Sequence, residues 1–264
     1  PDISAETKQR VRAVAQDIGY RPNRAGQRLR TGKTHVISLL LSTEPDIMNH
    51  TAQLISSVAE GLTGTGYHLV VTPYAPDGDL MAPLRTLLDT HAADAVILNQ
   101  TRLRDPRVAC LMEKGFPFAT HGRTLWSDRH AWCDFDNRRF AEIAIARLAA
   151  RGRKRVLVIA PPMDQFYGQD LRAGAMEAAA RAGVTLIFAE TITSDSSGDA
   201  IETEVKARFT AQPKLDGIFC DSPMGAVVAI HAAEQLGRVL GRDFDSCAKE
   251  ALPLLRRFRP AALT

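Results

Sequence analysis

The histidines and cysteines, the side chains most often used in catalysis and metal binding, are scattered along this chain of 264 residues. Its four cysteines, Cys110, Cys133, Cys220 and Cys247, include no CxxC element, and no GxSxG, HExxH or phosphate-binding loop occurs. We therefore expect no enzyme activity, catalytic residue, metal or cofactor, and we interpret the cysteines as buried free thiols. His50 and His121 lie beyond predicted strand ends and stay candidate ligand contacts.

The positive charge of the chain is concentrated at its N-terminus. The net charge is only +3, and 45% hydrophobic with 24% charged residues is an average globular composition. Residues 1–34 contain eight basic and three acidic residues, a net +5, which leaves −2 for the rest. This basic segment predicts phosphate neutralisation and nucleic-acid binding; a salt-bridged surface helix is the alternative, although few carboxylates lie nearby.

Membrane and secretion signals are not evident. No apolar run approaches the roughly 20 residues that cross a bilayer. The first residues lack the apolar stretch of a secretory signal, which predicts a cytoplasmic location. Length favours one large domain or two medium ones, because domains typically hold roughly 100–200 residues.

The N-terminal segment predicts two helices and a linker. Ser4 is a suitable N-cap for a helix over about residues 5–18, which ends at Gly19. Pro22 breaks that helix, because proline disfavours helical conformation in the preceding residue. Residues 24–30 predict a second, short helix that is basic and contains one large apolar residue, Leu29. A lone leucine among arginines suits a wedge inserted between base steps from the minor groove.

Residues 4–34, SAETKQRVRAVAQDIGYRPNRAGQRLRTGKT, resemble the LacI/GalR family of transcriptional repressors. The GYxPN element, the leucine and the RTGKT exit fall in register with the family. The resemblance implies the third helix of a helix-turn-helix headpiece, followed by a hinge helix, with the first two headpiece helices expected outside this sequence. It implies DNA contacts by Asn23, Arg24, Gly26, Gln27, Arg28, Leu29 and Arg30. Gly26 replaces the family's usual alanine, which predicts a less stable hinge helix without DNA.

From Val36 onward, short apolar runs alternate with helical patterns, which predicts parallel strands joined by crossover helices. Strands are predicted at Val36–Leu41, Leu69–Thr72, Ala95–Leu98, Phe118–Thr120, Val156–Ile159, Leu186–Ala189, Gly217–Cys220 and Phe244–Ala248. Helices are predicted near 51–65, 79–91, 105–114, 137–151, 168–182, 199–210 and 223–237. The pattern describes two similar α/β units with a break near Leu125–Asp134 and a ligand crevice at the carboxyl ends of the strands.

The resemblance extends over this body and implies an α/β, bilobal, periplasmic-binding-protein-like fold of two doubly wound parallel sheets, after an N-terminal helical headpiece remnant. The expected domains are residues 1–34, headpiece and hinge helix, and 35–264, an effector-binding and dimerisation body that is C-terminally incomplete. Its N-lobe is expected at about 35–130 and its C-lobe at about 131–264.

The resemblance also implies which residues contact an effector. These are Ser42, His50, Thr51, Arg123, Asp136, Thr193, Cys220, Asp221 and Glu250. Asp136 has the alternative role of a helix N-cap, Cys220 of a strand filler, and Arg123 of a partner for a nearby carboxylate. Many sugar- and purine-responsive relatives have an arginine where this chain has Leu171. Arg172, one residue along, is expected on another helix face, so the effector class stays open.

These observations predict a ligand-responsive, DNA-binding transcriptional regulator, expected to be a repressor. Effector binding between the lobes would alter operator binding through paired hinge helices. The expected partners are operator DNA, a small polar effector with sugars or sugar derivatives as candidates, and a second copy in a homodimer, with a tetramer left open. The first alternative is a secreted solute-binding protein without DNA function, and the second is an α/β enzyme.

Overall fold

The computed structural model describes residues 3–20, 24–43, 48–75 and 78–249, without the side chains of Arg24, Ala25, Gln27 and residues 48–50. Strands alternate with helices after two N-terminal helices, as the apolar pattern predicts. The helices are α1 (Ala5–Asp17), α2 (Arg24–Thr31), α3 (Met48–Gly61), α4 (Ala82–Asp89), α5 (Pro106–Glu113), α6 (Asn137–Ala150), α7 (Phe166–Ala182), α8 (Gly198–Ala211) and α9 (Pro223–Gln235). The strands are β1 (Val36–Ser42), β2 (His68–Tyr74), β3 (Ala95–Asn99), β4 (Phe118–His121), β5 (Ala131–Cys133), β6 (Arg155–Ile159), β7 (Thr185–Phe188), β8 (Gly217–Cys220) and β9 (Asp245–Ala248).

The first sheet is parallel throughout and has the strand order β2-β1-β3-β4-β5. Leu39 and Leu40 of the inner strand β1 are fully buried, because helices cover both faces of a parallel sheet. The edge strand β5 pairs with β4 and was not predicted. Its three residues, Ala131, Trp132 and Cys133, are apolar but exposed, and a run of three is too short to indicate a strand.

The second sheet is also parallel and has the order β7-β6-β8-β9. Its central strand β6 separates two apolar cores because successive side chains point to opposite faces. Val156 and Val158 contact the core formed with α6 and α7, whereas Leu157 and Ile159 contact the core formed with α8 and α9. The predicted fold class, two parallel α/β units, is confirmed.

The two sheets meet where chain segments cross between them. The amide of Leu103 donates to the carbonyl of Asp164 at 2.9 Å, and the amide of Leu125 donates to the carbonyl of Leu103 at 2.9 Å. An isolated bridge joins Arg102 to Gln165. Because β5 belongs to the first sheet, that sheet extends to residue 133, slightly beyond the expected lobe boundary at 130.

The N-terminal helices lie outside both sheets. Ser4 caps α1 as predicted, accepting from the amide of Thr7, and no residue of α1 is buried. The linker after α2 is anchored by the Asp94 carboxylate, which accepts from the amide and hydroxyl of Thr34 and from the amide of His35. Burial opposes ionisation of Asp94, yet these hydrogen bonds lower its pKa below the ordinary value. Among the described residues, no helix is long and apolar enough to cross a membrane.

Candidate ligand-binding cleft

A cleft lies between the two sheets, at the carboxyl ends of their strands. Parallel strands end at the same edge of a sheet, so the residues that follow them converge there. The first-sheet side contributes Asn99, Gln100, Thr101, His121, Gly122, Asp134 and Phe135. The second-sheet side contributes Asn137, Tyr167, Ser194, Asp195, Asp221, Ser222, Pro223, Met224 and Lys249. Polar groups therefore face the cleft from both lobes, together with aromatic and aliphatic side chains.

The ends of β3 and β4 form the first wall. His121 Nδ1 lies 2.9 Å from Asn99 Oδ1, and the His121 ring contacts Phe135 edge-on, with ring centroids 5.9 Å apart. Gln100 has a φ of +50°, in the left-handed region that non-glycine residues rarely adopt. Neighbouring structure must hold this turn, because such a conformation costs on the order of 1 kcal/mol.

The turn after β3 is held by a buried arginine. Arg107, at the start of α5, donates to the carbonyls of Asn99 and Gln100 at 3.2 and 3.1 Å. Its guanidinium also binds the Asp105 carboxylate, with Nη2–Oδ2 at 2.7 Å, and both side chains are fully buried. Burial opposes the charge on Asp105, but Arg107 outweighs it and lowers the pKa of Asp105 below its ordinary value. Arg107 thus joins the buried Asp105 carboxylate to the carbonyls of the turn and stabilises this wall of the cleft.

The ends of β8 and β9 form the second wall. Ser222 caps α9 by accepting from the amide of Gly225, which places Asp221 at the turn between strand and helix. Lys249 follows β9, and its Nζ donates to Asn137 Oδ1 at 2.8 Å and lies 3.7 Å from Asp221 Oδ1. The same ammonium lies 4.8 Å from the ring centroid of Phe135 and 5.6 Å from that of Tyr167, within cation–π range.

A second cation borders the cleft where the lobes meet. Arg123 forms ion pairs with Asp134, which lines the cleft, and with Asp170 on α7 of the second lobe. Its guanidinium lies 4.8 Å from the Phe166 ring centroid. Asn137 extends this network, donating from Nδ2 to Asp134 Oδ1 at 3.1 Å. Polar contacts therefore continue from Arg123 through Asp134 and Asn137 to Lys249.

The structure places the nine predicted effector residues unevenly, and effector binding by them stays a prediction. Asp221 lines the cleft. Cys220 is fully buried among apolar side chains, the strand-filler role, and burial raises the pKa of its thiol. Asp136 caps α6 by accepting from the amide of Arg139. Arg123 pairs with carboxylates at the rim.

The remaining predicted effector residues lie apart from the described lining or outside the described part. Ser42 ends β1 with its hydroxyl buried, and Thr51 lies on α3. Thr193 accepts from the amide of Asp195 through its hydroxyl, next to the lining residues Ser194 and Asp195. The side chain of His50 and all of Glu250 lie outside the described residues. His121, the other histidine candidate, lines the cleft.

Several residues that line the cleft were not predicted, although each lies one or two positions from a predicted residue. Asp134 and Asn137 flank Asp136, Ser194 follows Thr193, and Lys249 precedes Glu250. A shift of one residue at a strand end turns the side chain to the opposite face. The turn after β3, with Asn99, Gln100 and Thr101, was overlooked entirely. The sequence does indicate this turn, because polar residues follow directly after the predicted apolar strand Ala95–Leu98.

Leu171 and Arg172 lie on α7, where many sugar- and purine-responsive relatives are expected to have an arginine at the position of Leu171. Leu171 is fully buried in the apolar core. Arg172 pairs with Glu190, with Nη2–Oε1 at 2.9 Å, and its guanidinium lies 4.0 Å from the Phe188 ring centroid. Neither residue is among those that line the cleft.

The predicted DNA-contacting segment is partly described. Leu29 on α2 is 90% exposed, the most exposed large apolar side chain in the described chain. Arg28 donates from Nη2 to the carbonyls of Thr90 and His91, both at 2.9 Å, at the C-terminal end of α4. Gly26 and Arg30 are exposed. Asn23 and the side chains of Arg24 and Gln27 lie outside the described residues. DNA contact by this segment stays a prediction.

Residues 34–245 match the family model of periplasmic binding proteins and the sugar-binding domain of the LacI family. The chain is 31% identical to the HTH-type transcriptional regulator AglR of Rhizobium meliloti over 97% of its length and 73% of that protein. It is 27% identical to the HTH-type regulator RafR of Escherichia coli over 92% of its length and 72% of that protein. A solved complex of the regulator CelR with cellobiose superposes with a TM-score of 0.76 at 22% identity, covering 99% of this chain and 79% of that one.

Proposed function

Because this chain belongs to the LacI family and is a ligand-responsive transcriptional regulator, we propose that a small polar effector binds in the cleft between its lobes and controls operator binding through α2. The observation that carries this proposal is the convergence of polar groups from both sheets, for example His121 and Asp221, on one cleft. A ligand that contacts both walls favours one relative arrangement of the lobes over another. AglR and RafR, to which the chain is similar, are transcriptional regulators, which favours this role over that of an enzyme or a free solute-binding protein.

The effector we infer is a carbohydrate. Carboxylate and amide groups at Asp195, Asp221 and Asn99 suit the hydroxyls of a sugar, and the rings of Phe135 and Tyr167 suit its apolar faces. The matched family model describes a sugar-binding domain, and the CelR structure contains cellobiose. These similarities support the class of ligand rather than its identity.

The DNA-binding role is assigned to the segment before the body. In this proposal residues 1–34 contribute the headpiece and hinge, and residues 35–264 form the effector and dimerisation body, divided into lobes near residues 130–133. One short hinge helix gives little affinity, so two are required in a homodimer on a two-fold operator; a tetramer would pair two such dimers. A repressor of this kind acts where operator DNA is found, in the cytoplasm.

The test combines ligand binding with DNA binding. A thermal-shift screen of sugars, sugar acids and polyols identifies compounds that raise the midpoint of unfolding in proportion to the logarithm of their concentration. Hits are then added to operator DNA with the natural regulator, and the change in DNA affinity is measured by mobility shift. We expect at least one carbohydrate to bind and to change the DNA affinity. Binding without any effect on DNA, or no hit among the carbohydrates, would contradict the proposal.

A further inference from the structure

Arg28 on α2 contacts the body of the protein rather than pointing into solvent alone. Its Nη2 donates to the carbonyls of Thr90 and His91, both at 2.9 Å, and these two residues directly follow α4. The contact joins residues that are 62 and 63 positions apart in the chain. The charge of the N-terminal segment predicts a phosphate contact for this arginine, whereas its hydrogen bonds attach it to the first lobe.

The C-terminal end of α4 offers these two carbonyls because the preceding ones are already hydrogen-bonded. The amide of Ala92 donates to the carbonyl of Leu87 at 3.0 Å. The amide of His91 donates to the carbonyl of Leu88 at 3.2 Å, which completes a Schellman motif. The carbonyls of Thr90 and His91 lie beyond these bonds, at the negative end of the helix dipole. A guanidinium placed there is stabilised by the dipole as well as by its hydrogen bonds.

A second contact attaches the linker after α2 to the same loop, residues 90–94. Asp94 Oδ1 accepts from the amide and the hydroxyl of Thr34, at 2.8 and 2.7 Å. Helix α2 ends between the two attachments, at Thr31. Two points of contact on one loop fix the orientation of α2 relative to the first sheet, which the linker contact alone does not do.

The loop 90–94 leads directly into β3, and the carboxyl end of β3 lines the cleft through Asn99. The five residues of β3 span roughly 17 Å, at about 3.3 Å per residue. One strand therefore connects a wall of the cleft to the loop that holds α2.

We propose that Arg28 is a positioning residue, which docks α2 on the C-terminal end of α4 and does not contact DNA phosphate. The bonds from Arg28 to the carbonyls of Thr90 and His91 are the docking contact. The inference rests on the proposed function, because it names the residue that orients the helix through which operator binding is controlled.

The docking contact leaves the predicted DNA-contacting side of α2 open. Successive residues of a helix point about 100° apart, so Arg30 lies about 200° from Arg28 around the helix. Leu29 is 90% exposed, and Arg30 is exposed as well. Arg30 is therefore the natural comparison, a cation in the same last turn that points away from the docking contact.

Arg28→Met tests the docking contact in the natural regulator without DNA. Methionine has nearly the helix propensity of arginine but neither its charge nor its donors. Arg30→Met is the matched control, because it removes the same charge from the same turn of α2. Amide exchange over residues 24–31, followed by mass spectrometry, should be about two- to fivefold faster in Arg28→Met than in Arg30→Met, as expected for losing a cation at a helix C-terminus.

The salt dependence of operator binding tests whether Arg28 contacts phosphate. Each phosphate contact that is lost reduces the slope of log K against log salt by about 0.9. Mobility shifts over a series of KCl concentrations should give Arg28→Met the same slope as the unaltered regulator. A slope lower by about 0.9 per protomer would show that Arg28 contacts phosphate, and would overturn that part of the proposal.

The outcomes separate this inference from the proposed function. Exchange that is equally fast in Arg28→Met and Arg30→Met would overturn the docking contact. Failure of the unaltered regulator to bind operator DNA would contradict the proposed function, and the exchange comparison would still decide whether Arg28 docks α2.

Discussion

At the scale of single residues, Arg107 does the most to shape the cleft from outside it. Its guanidinium is fully buried, binds Asp105, and holds the two carbonyls of the turn that carries Asn99 and Gln100. Removing one partner of a buried ion pair leaves an uncompensated charge. We expect Arg107→Met to lower the free energy of unfolding by about 3–5 kcal/mol, measured by urea denaturation. Arg104→Met, an exposed change on the same loop, should stay within about 0.5 kcal/mol.

The same ion pair predicts how stability depends on pH. The folded-state pKa of Asp105 lies below its ordinary value, so at acidic pH the folded chain binds fewer protons than the unfolded chain does. Its stabilising contribution is fully present above the unfolded pKa of about 3.9 and is lost as the pH falls through the lower folded value. The pKa of Asp94 is lowered in the same direction.

We therefore expect the free energy of unfolding to decline below about pH 4 through these carboxylates, as measured by urea titrations between pH 3 and pH 7. In Asp105→Asn that part of the decline should disappear, because the residue no longer titrates. A variant curve parallel to that of the unaltered chain would show that Asp105 does not contribute.

Leu29 is the residue on which the DNA prediction depends most directly. Its side chain is 90% exposed, although burying a leucine stabilises by about 1.5–3 kcal/mol. If it inserts between base steps, Leu29→Ala in the natural regulator should weaken specific operator binding at least about tenfold, by mobility shift. Effector affinity should be unchanged, because α2 lies outside the cleft. An equal loss of effector and DNA affinity would refute this division of roles.

The residue scale is also where sequence reasoning was least able to define the site. Of the predicted effector residues, Asp221 lines the cleft, whereas Cys220 beside it is fully buried. Several predicted residues lie at or near strand ends, but the direction of a side chain there depends on the register, and a shift of one residue reverses it. The contact of Lys249 with Asn137 joins positions 112 residues apart and follows from no local pattern.

At the scale of elements, the strands and most helices followed from the sequence because each has a distinct apolar pattern. Parallel strands buried on both faces, such as β1 and β6, read as short continuous apolar runs. The strand β5 is the exception: it is short, exposed and held in place by its pairing with β4. Only tertiary structure specifies such a strand.

Helix α2, the proposed hinge, provides a prediction about local stability. A Cβ added at Gly26 would meet no atom within 4 Å, and the residue is helical. Gly26→Ala should therefore stabilise α2 by about 0.5–1 kcal/mol, seen as slower amide exchange over residues 24–31 without DNA. Gly174→Ala is the contrast, because its Cβ would overlap the carbonyl of Arg138 and force α6 and α7 apart. Equal effects of the two changes would contradict the packing argument.

At the scale of the whole molecule, regulation requires that the two lobes be coupled. Arg123 follows β4 of the first sheet and forms an ion pair with Asp170 on α7 of the second lobe. The linker to α2 is anchored to the first sheet by Asp94, so in the proposed mechanism a change in lobe arrangement reaches α2 through that sheet. Any such coupling is reciprocal: an effector that weakens DNA binding is itself bound more weakly by the DNA complex.

Asp170→Asn tests this coupling because it weakens an interlobe ion pair without removing a residue that lines the cleft. A shift in the lobe equilibrium of about 1 kcal/mol changes the population ratio of the two lobe arrangements roughly fivefold, and the effector and operator affinities change with the populations of the arrangements that they require. The two changes should have opposite signs if the effector releases DNA and the same sign if it promotes DNA binding, because one equilibrium underlies both. Calorimetry and mobility shift measure them separately, with Asp199→Asn, the same charge change at an exposed position of α8, as the control. If neither affinity changes, or if no single shift of the lobe populations reproduces both changes, the lobes do not move as one coupled switch.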